Sequence, residues 1–347
     1  MNKIKGGSQV NYSNIDICKM ICSLLIVAIH TRPFISFSEE LDFVVVDIIA
    51  RIGVPFFYAA TAFFFFRKVS FSTDGKLIGC RENNQRLKVY IKRIFKLYLV
   101  WSIIYLIWQI PYWYSIDWWG QALVIDYLVS FLMRGSVYHF WYFVSLIYGV
   151  IILYGLLRRF GIKKTVFLSI FFYAVKCLVY GYFWIDFPMM DTLEKIWNMF
   201  SGVCDGICLA LPFMMVGVLA SQETSFYAWI SKHRKLGFMV SVIGLVIEAT
   251  LLFHFDVSDG KYSYIIFTLP VCLFFFANVI ESKEFIKEKR DTTKYRKYST
   301  LVFCIHPFII YLCQLSETFN GYNSLLKYFL IVIVSMLMSV ILEKIDV

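Results

Sequence analysis

The stretch that decides the fold is Asp16-Ile17-Cys18-Lys19-Met20-Ile21-Cys22-Ser23-Leu24-Leu25-Ile26-Val27-Ala28-Ile29-His30. It is apolar enough for a membrane span, yet it carries an acid, a base, a hydroxyl and an imidazole. Eleven residues separate Lys19 from His30, and at about 100° per residue the two return to within about 20° of one direction on a helix. Asp16 lies three residues before Lys19 and Ser23 four after it, so all four fall near one stripe. An ionised group at the bilayer centre costs a few kcal/mol unless a partner or a hydrated cavity receives it. The stripe must therefore face the interior of a helix bundle.

The rest of the chain agrees. Of its 347 residues 59% are apolar, 19% are aromatic and 17% are charged, against roughly a quarter charged in a soluble domain. One span needs about 20 apolar residues. Apolar runs bounded by charge or turn residues predict ten helices, at 16–36, 42–66, 91–112, 138–157, 165–184, 196–220, 237–255, 262–281, 299–317 and 324–344. The expected fold is all-α: a polytopic membrane bundle of about ten transmembrane helices over residues 16–344, with a cytoplasmic N-terminal tail at 1–15 and a stub at 345–347 that could lead into a soluble C-terminal domain. With the N-terminus inside, 26 Lys and Arg fall on cytoplasmic pieces and 5 on outer ones. By the positive-inside rule both termini are then cytoplasmic. Such a chain is expected in a bacterial cytoplasmic membrane, with the lipid bilayer as its partner. The net charge of +10 sits in short clusters between apolar runs and forms no soluble basic face, which argues against nucleic-acid binding.

Further ionisable residues inside spans are the candidate site. Asp47 and Arg51 are four apart on helix 2, a spacing that suits an ion pair, and Arg51 is either that partner or an anion binder. His139 opens helix 4 beside Trp141 and Tyr142, and His306 with Pro307 is expected to interrupt helix 9. Asp205 and Glu248 are buried acids, for which Lys176 is one available cation. The cysteines at positions 18 and 22, and at 204 and 208, lie in apolar helices without metal-site spacing, so they read as packing residues and no metal is expected. Segment 121–134 is expected along the outer interface. Between Arg67 and Lys96 lies a basic loop, which the positive-inside rule explains on its own. Attraction to lipid headgroups would also fit, and so would a donor site in which Lys92, Arg93 and Lys96 hold phosphates at the mouth of helix 3.

Several motifs carry a resemblance. Residues 16–19 and 26–30, Arg51-Ile52-Gly53-Val54-Pro55-Phe56-Phe57, Lys92 to Leu97, His139-Phe140-Trp141-Tyr142, Pro212-Phe213 with Gly217, and Cys304-Ile305-His306 follow one another in the order found in acyltransferase family three, and the chain resembles that family over nearly its whole length. The resemblance implies ten membrane helices that O-acylate extracytoplasmic acceptors. It also implies a catalytic His30, a basic companion at Lys19, and an acyl-coenzyme A donor such as acetyl-coenzyme A near Arg93. The family usually has arginine where this chain has Lys19 and Lys96, and Ser-Gly where it has Thr61-Ala62.

Among relatives, the chain is also similar to the membrane half of membrane-bound serine racemases of vancomycin-resistant bacteria, in which such a bundle precedes a cytoplasmic racemase domain. Two functions follow as expectations. In one, a central cavity lined by Lys19, His30, Arg51, His139 and His306 binds a small polar acceptor for acyl transfer, with His30 as general base, Arg51 or a second histidine steadying the oxyanion, and no covalently bound cofactor. In the other the bundle is not catalytic and takes up L-serine, whose carboxylate meets Arg51 or Lys19 and whose ammonium meets Asp16, Asp47 or Asp205.

Overall fold

The computed structural model describes residues 12–117, 120–180, 190–254, 264–282 and 292–344. Among these the regular structure is helical, and the connections hold an isolated bridge between Phe71 and Leu77. Seven helices are long and apolar enough to cross a membrane. Most of the predicted tail, the stub at 345–347 and the tips of the spans expected at 165–184, 237–255 and 262–281 lie outside the described residues.

Helix α1 (Ser13–Thr31) starts three residues earlier than expected. Its Asn14 amide donates to the carbonyls of Val279 and Ser282, both at 3.2 Å. It ends on Arg32, left-handed at φ 45°, whose N–H donates to Ala28 O, and Pro33 prevents continuation. Helix α2 (Glu39–Phe66) is capped by the Ser38 hydroxyl. It holds a π-helical stretch over Phe43–Ile49 and a tighter turn over Ala50–Ile52. Local irregularity of this kind often marks a functional site. Helix α3 (Arg81–Ser115) begins ten residues before the predicted start, so the second half of the supposed basic loop is helix. Nothing in its first turns breaks a helix, and apolar Leu87, Ile91 and Ile94 continue one face.

Helix α4 (Gln121–Val129) lies mostly exposed. The fourth and fifth expected spans form one long element, α5 (Trp141–Tyr180), which breaks at Gly161 with φ 75°. Residues with a side chain rarely adopt that backbone region. The 67–80 connection plugs the break: Leu77 N–H donates to Leu157 O, and Ile162 N–H donates to Gly75 O. The span expected at 196–220 divides into an amphipathic α6 (Met190–Met199) and α7 (Ser201–Ser221).

Helices α8 (Ser225–Lys232), α9 (Arg234–His254), α10 (Thr268–Glu281), α11 (Thr293–Gln314), α12 (Glu317–Asn320) and α13 (Ser324–Lys344) complete the chain. Helix α11 corrects the expectation for Pro307, because it runs straight through that residue. The hydroxyl of Tyr105 on α3 donates to Cys304 O at 2.9 Å and accepts from Phe308 N–H at 3.1 Å. It thereby bridges one turn of the ladder beside the proline.

The bundle centre is α2 against α7. Ala59 and Ala62 on one face Gly217 on the other so closely that a Cβ at 217 would stand 2.1 Å from Ala59 O and 2.6 Å from Phe63 N. Small residues allow such backbone approach where lipid offers no hydrophobic drive between helices. Gly217→Ala is therefore expected to destabilise the folded protein by about 1–3 kcal/mol. Gly155→Ala, where no atom lies within 4 Å of the added carbon, should leave stability equal or slightly raised. Unfolding midpoints of the two detergent-solubilised variants check the pair.

Candidate functional site

Two adjoining cavities, of about 410 and 420 Å³, open between α1, α2, α3 and α11. They share Lys19, Thr61, Tyr90, Arg93 and Arg296. Their charged lining is one-sided: Lys19, Lys68, Arg86, Arg93, Arg296 and Lys297 against Glu343 alone. Glu343 is itself 3.5 Å from Lys297. Deeper in, the first cavity becomes apolar, lined by Ile26, Val54, Phe57, Phe143 and Leu146 with Tyr142 and Phe303.

On α1 the lining runs from Lys19 to Ile26, about 10 Å along the axis, and His30 is one further turn away. The ring of Phe303 packs 5.3 Å from Tyr142, 5.8 Å from His139 and 6.3 Å from His306. Behind this aromatic wall the three histidines gather, although they come from α1, the start of α5 and α11. His306 has ring centres 5.3 Å from His30 and 5.9 Å from His139, and Tyr138 lies 5.3 Å from His30. His139 and His306 are buried, and Tyr138 is exposed. The pair Tyr138 and His30 thus marks the end of the cluster opposite the cationic mouth.

The residues expected to line one chamber divide between these cavities and the histidine cluster, with Arg51 in neither. Of the five, Lys19 lines the cavity, while His30, Arg51, His139 and His306 do not. The acids are also committed elsewhere. Asp16 is fully buried and takes Arg296 at 2.8 Å with the Thr292 hydroxyl at 3.3 Å. Asp47 pairs with Arg51 at 3.0 Å, at the predicted spacing, and with Arg32 at 3.1 Å. Arg32 also reaches the buried Asp42 at 2.8 Å. Asp205 lies 3.6 Å from Lys176. Glu248 accepts from the N–H groups of Ile266 and Phe267, just before α10.

Of the three candidate donor-binding cations, Arg93 lines both cavities, whereas Lys92 and Lys96 are exposed on other faces of α3 and line neither. Trp141 is half-buried beside His139, and Tyr142 is buried in the wall. Sequence reading missed Arg86, Tyr90, Lys68, Arg296 and Lys297. The spacing 86, 90, 93, 97 on one helix face was the available signal. It was hidden because the segment reads as loop under the positive-inside rule. Among the described residues no group of three or more His, Cys, Asp or Glu side chains, the histidine cluster included, is arranged to hold a metal ion.

The comparisons with known proteins complete the picture. A family model described as "Acyltransferase domain" matches residues 12–344. The chain is similar to an amino-acid racemase of Enterococcus faecalis, 29% identical over 345 residues, which covers 95% of this chain and 46% of the relative. It is similar also to a serine/alanine racemase of Enterococcus gallinarum, 27% identical over 330 residues, covering 92% of this chain and 44% of that protein. The chain thus spans less than half the length of these relatives. No solved structure matches it.

Because Tyr105 holds the α11 ladder together next to His306, Tyr105→Phe should cost about 1–3 kcal/mol of stability by leaving a buried carbonyl and N–H unbridged. Tyr127→Phe is the control, since its hydroxyl makes one 3.2 Å bond to Ser102 O in a part-buried position. The unfolding midpoints of the two variants should separate accordingly.

Proposed function

We propose that this chain, which belongs to acyltransferase family three, is a multi-pass membrane domain that passes an acyl group from a phosphate-bearing thioester such as acetyl-coenzyme A to a hydroxyl on a small polar acceptor. The observation that carries the reading is the shape of the cavity: a mouth of six cations that narrows into an apolar throat ending one helical turn from His30. Arginine grips phosphate bidentately, and a cation-lined cleft concentrates anions. The apolar throat suits the uncharged arm and acyl end of such a donor. The mouth belongs to the cytoplasm, where the clustered Lys and Arg of the connections put it.

His30 is the general base. A neutral imidazole takes the acceptor hydroxyl's proton as the oxygen attacks the thioester carbonyl, and returns it to the departing thiolate. The acceptor arrives past Tyr138, on the side opposite the donor. Lys19, against the face of Phe57 at 5.3 Å, has no carboxylate partner within ion-pair distance among the described residues, and its ammonium is available to the donor. Arg296 is shared, since Asp16 holds it by Nε and Nη2.

A second reading is favoured by the racemase names of the relatives: a membrane half that binds L-serine for a partner domain. Its weakness is local. The three acids it would use for the serine ammonium are already paired with Arg296, with Arg51 and Arg32, and with Lys176, so each would have to give up an existing cation.

Binding to the purified chain separates the readings. Acetyl-coenzyme A should bind in a salt-dependent manner. Arg93→Ala should weaken it about tenfold or more, while Lys92→Ala should change it less than about twofold. His30→Ala should keep that binding and lose turnover by about a hundredfold or more. L-serine binding with no thioester binding would overturn acyl transfer and leave the serine reading.

A further inference from the structure

The three-histidine cluster contains more imidazole than a single general base requires, and its hydrogen bonding is incomplete in an informative way. His306 is fully buried. Its Nδ1 lies 2.9 Å from Val302 O, and a carbonyl can only accept, so Nδ1 carries the hydrogen. Nε2 must then present a lone pair. That atom is buried with no hydrogen-bond partner among the described residues. A buried acceptor left unmet is costly, so it is a strong clue to a donor that reaches it in use.

Two rings stand close enough to supply that donor after a small ring rotation, for neither bonds it in the structure, and His139 has both of its own ring nitrogens buried without a hydrogen-bond partner among the described residues. A linear N–H···N bond between imidazoles places ring centres about 5.2 Å apart. His30 lies at 5.3 Å with its plane tilted 33° from that of His306, and His139 at 5.9 Å and 63°. His30 fits the distance better. Both rings also stand against exposed Tyr138, His30 at 5.3 Å and His139 at 5.1 Å, so the distance and tilt toward His306 are what favour His30.

We infer that His306 is a positioning residue: its buried Nε2 accepts the N–H of His30 and so directs the other, unprotonated nitrogen of His30 toward the acceptor hydroxyl. The inference rests on the acyl-transfer reading for its catalytic meaning, while the hydrogen bond itself can be observed without it. Protons balance within the pair. The acceptor's proton moves to the free nitrogen of His30, the resulting imidazolium keeps its second N–H directed at His306, and the added proton leaves with the thiolate. His306 holds its own hydrogen on Val302 O throughout. A histidine thus does for His30 what a carboxylate does in many base pairs, without placing a second ionised group in the membrane.

Nitrogen-15 NMR of the full chain, labelled at its five histidines and held in lipid nanodiscs, tests the bond directly. A scalar coupling between nitrogens of His30 and His306 is expected in the wild type, lost in His306→Gln and kept in His139→Gln. Turnover with acetyl-coenzyme A tests the role. His306→Gln, whose amide oxygen can still accept, should keep kcat within about tenfold, and His306→Phe should lose about a hundredfold in kcat with KM nearly unchanged. Matching unfolding midpoints show that both variants fold. Absence of the coupling, its appearance between His139 and His306 instead, or wild-type kcat in His306→Phe overturns the inference. If the coupling is present but no acyl group moves in the wild type, the acyl-transfer reading fails and the histidine pair stands.

Discussion

In hydrocarbon an ionised side chain has no water to turn to, so each charge in this bundle must be met by another part of the protein. That requirement decides which helices touch. Asp16 fastens the start of α1 to Arg296 at the start of α11. At the other end of α1, Arg32 reaches Asp42 and Asp47, and Asp47 in turn holds Arg51. Helix α1 is therefore anchored by ion pairs at both ends. The residues between those anchors, from Lys19 to His30, are held in fixed azimuth and can line a cavity and a histidine cluster at once. The carboxylates of these pairs are buried while Arg32 and Arg296 keep part of their side chains exposed, so each acid depends on its arginine more than the arginine depends on the acid.

The site uses two environments that would conflict in one chamber. Cations crowd the mouth, where they can share water and ligand phosphates. The histidines sit behind Tyr142 and Phe303, away from those cations. The aromatic wall keeps these environments apart, and the path along α1 keeps them within one turn of each other. Such a division also explains why Lys19 and His30, although on one stripe, have different neighbours: Phe57 for the first, and His306 with Tyr138 for the second.

Much of this was legible in the sequence. Hydropathy located helices in all ten expected places. The eleven-residue interval tied Lys19 to His30, and the four-residue interval gave the Asp47–Arg51 pair. What escaped depends on partners distant in sequence. Pro307 reads as a break because its remedy, the Tyr105 hydroxyl, lies about 200 residues away. Arg296 reads as a loop cation because nothing local connects it to Asp16, 280 residues earlier. Arg86 and Tyr90 were masked by a rule of composition: clustered basic residues are expected on the cytoplasmic side whatever they do, so their abundance carries no news of a ligand. The gathering of His139 and His306 beside His30 required three elements to be packed before it could be seen.

The near-contact of Gly217 with the backbone of α2 bears on how the molecule can breathe. Two helices meeting main chain to main chain have no side-chain cushion in which to slide, so α2 and α7 form a keel. Their apolar stretches are 72% and 78% buried, whereas that of α3 is 28% buried. Widening of the cleft thus falls to α3, which can swing outward at the expense of lipid alone. Bilayer thickness and stiffness then become part of the hinge, and the same polypeptide would open to different extents in membranes of different fluidity.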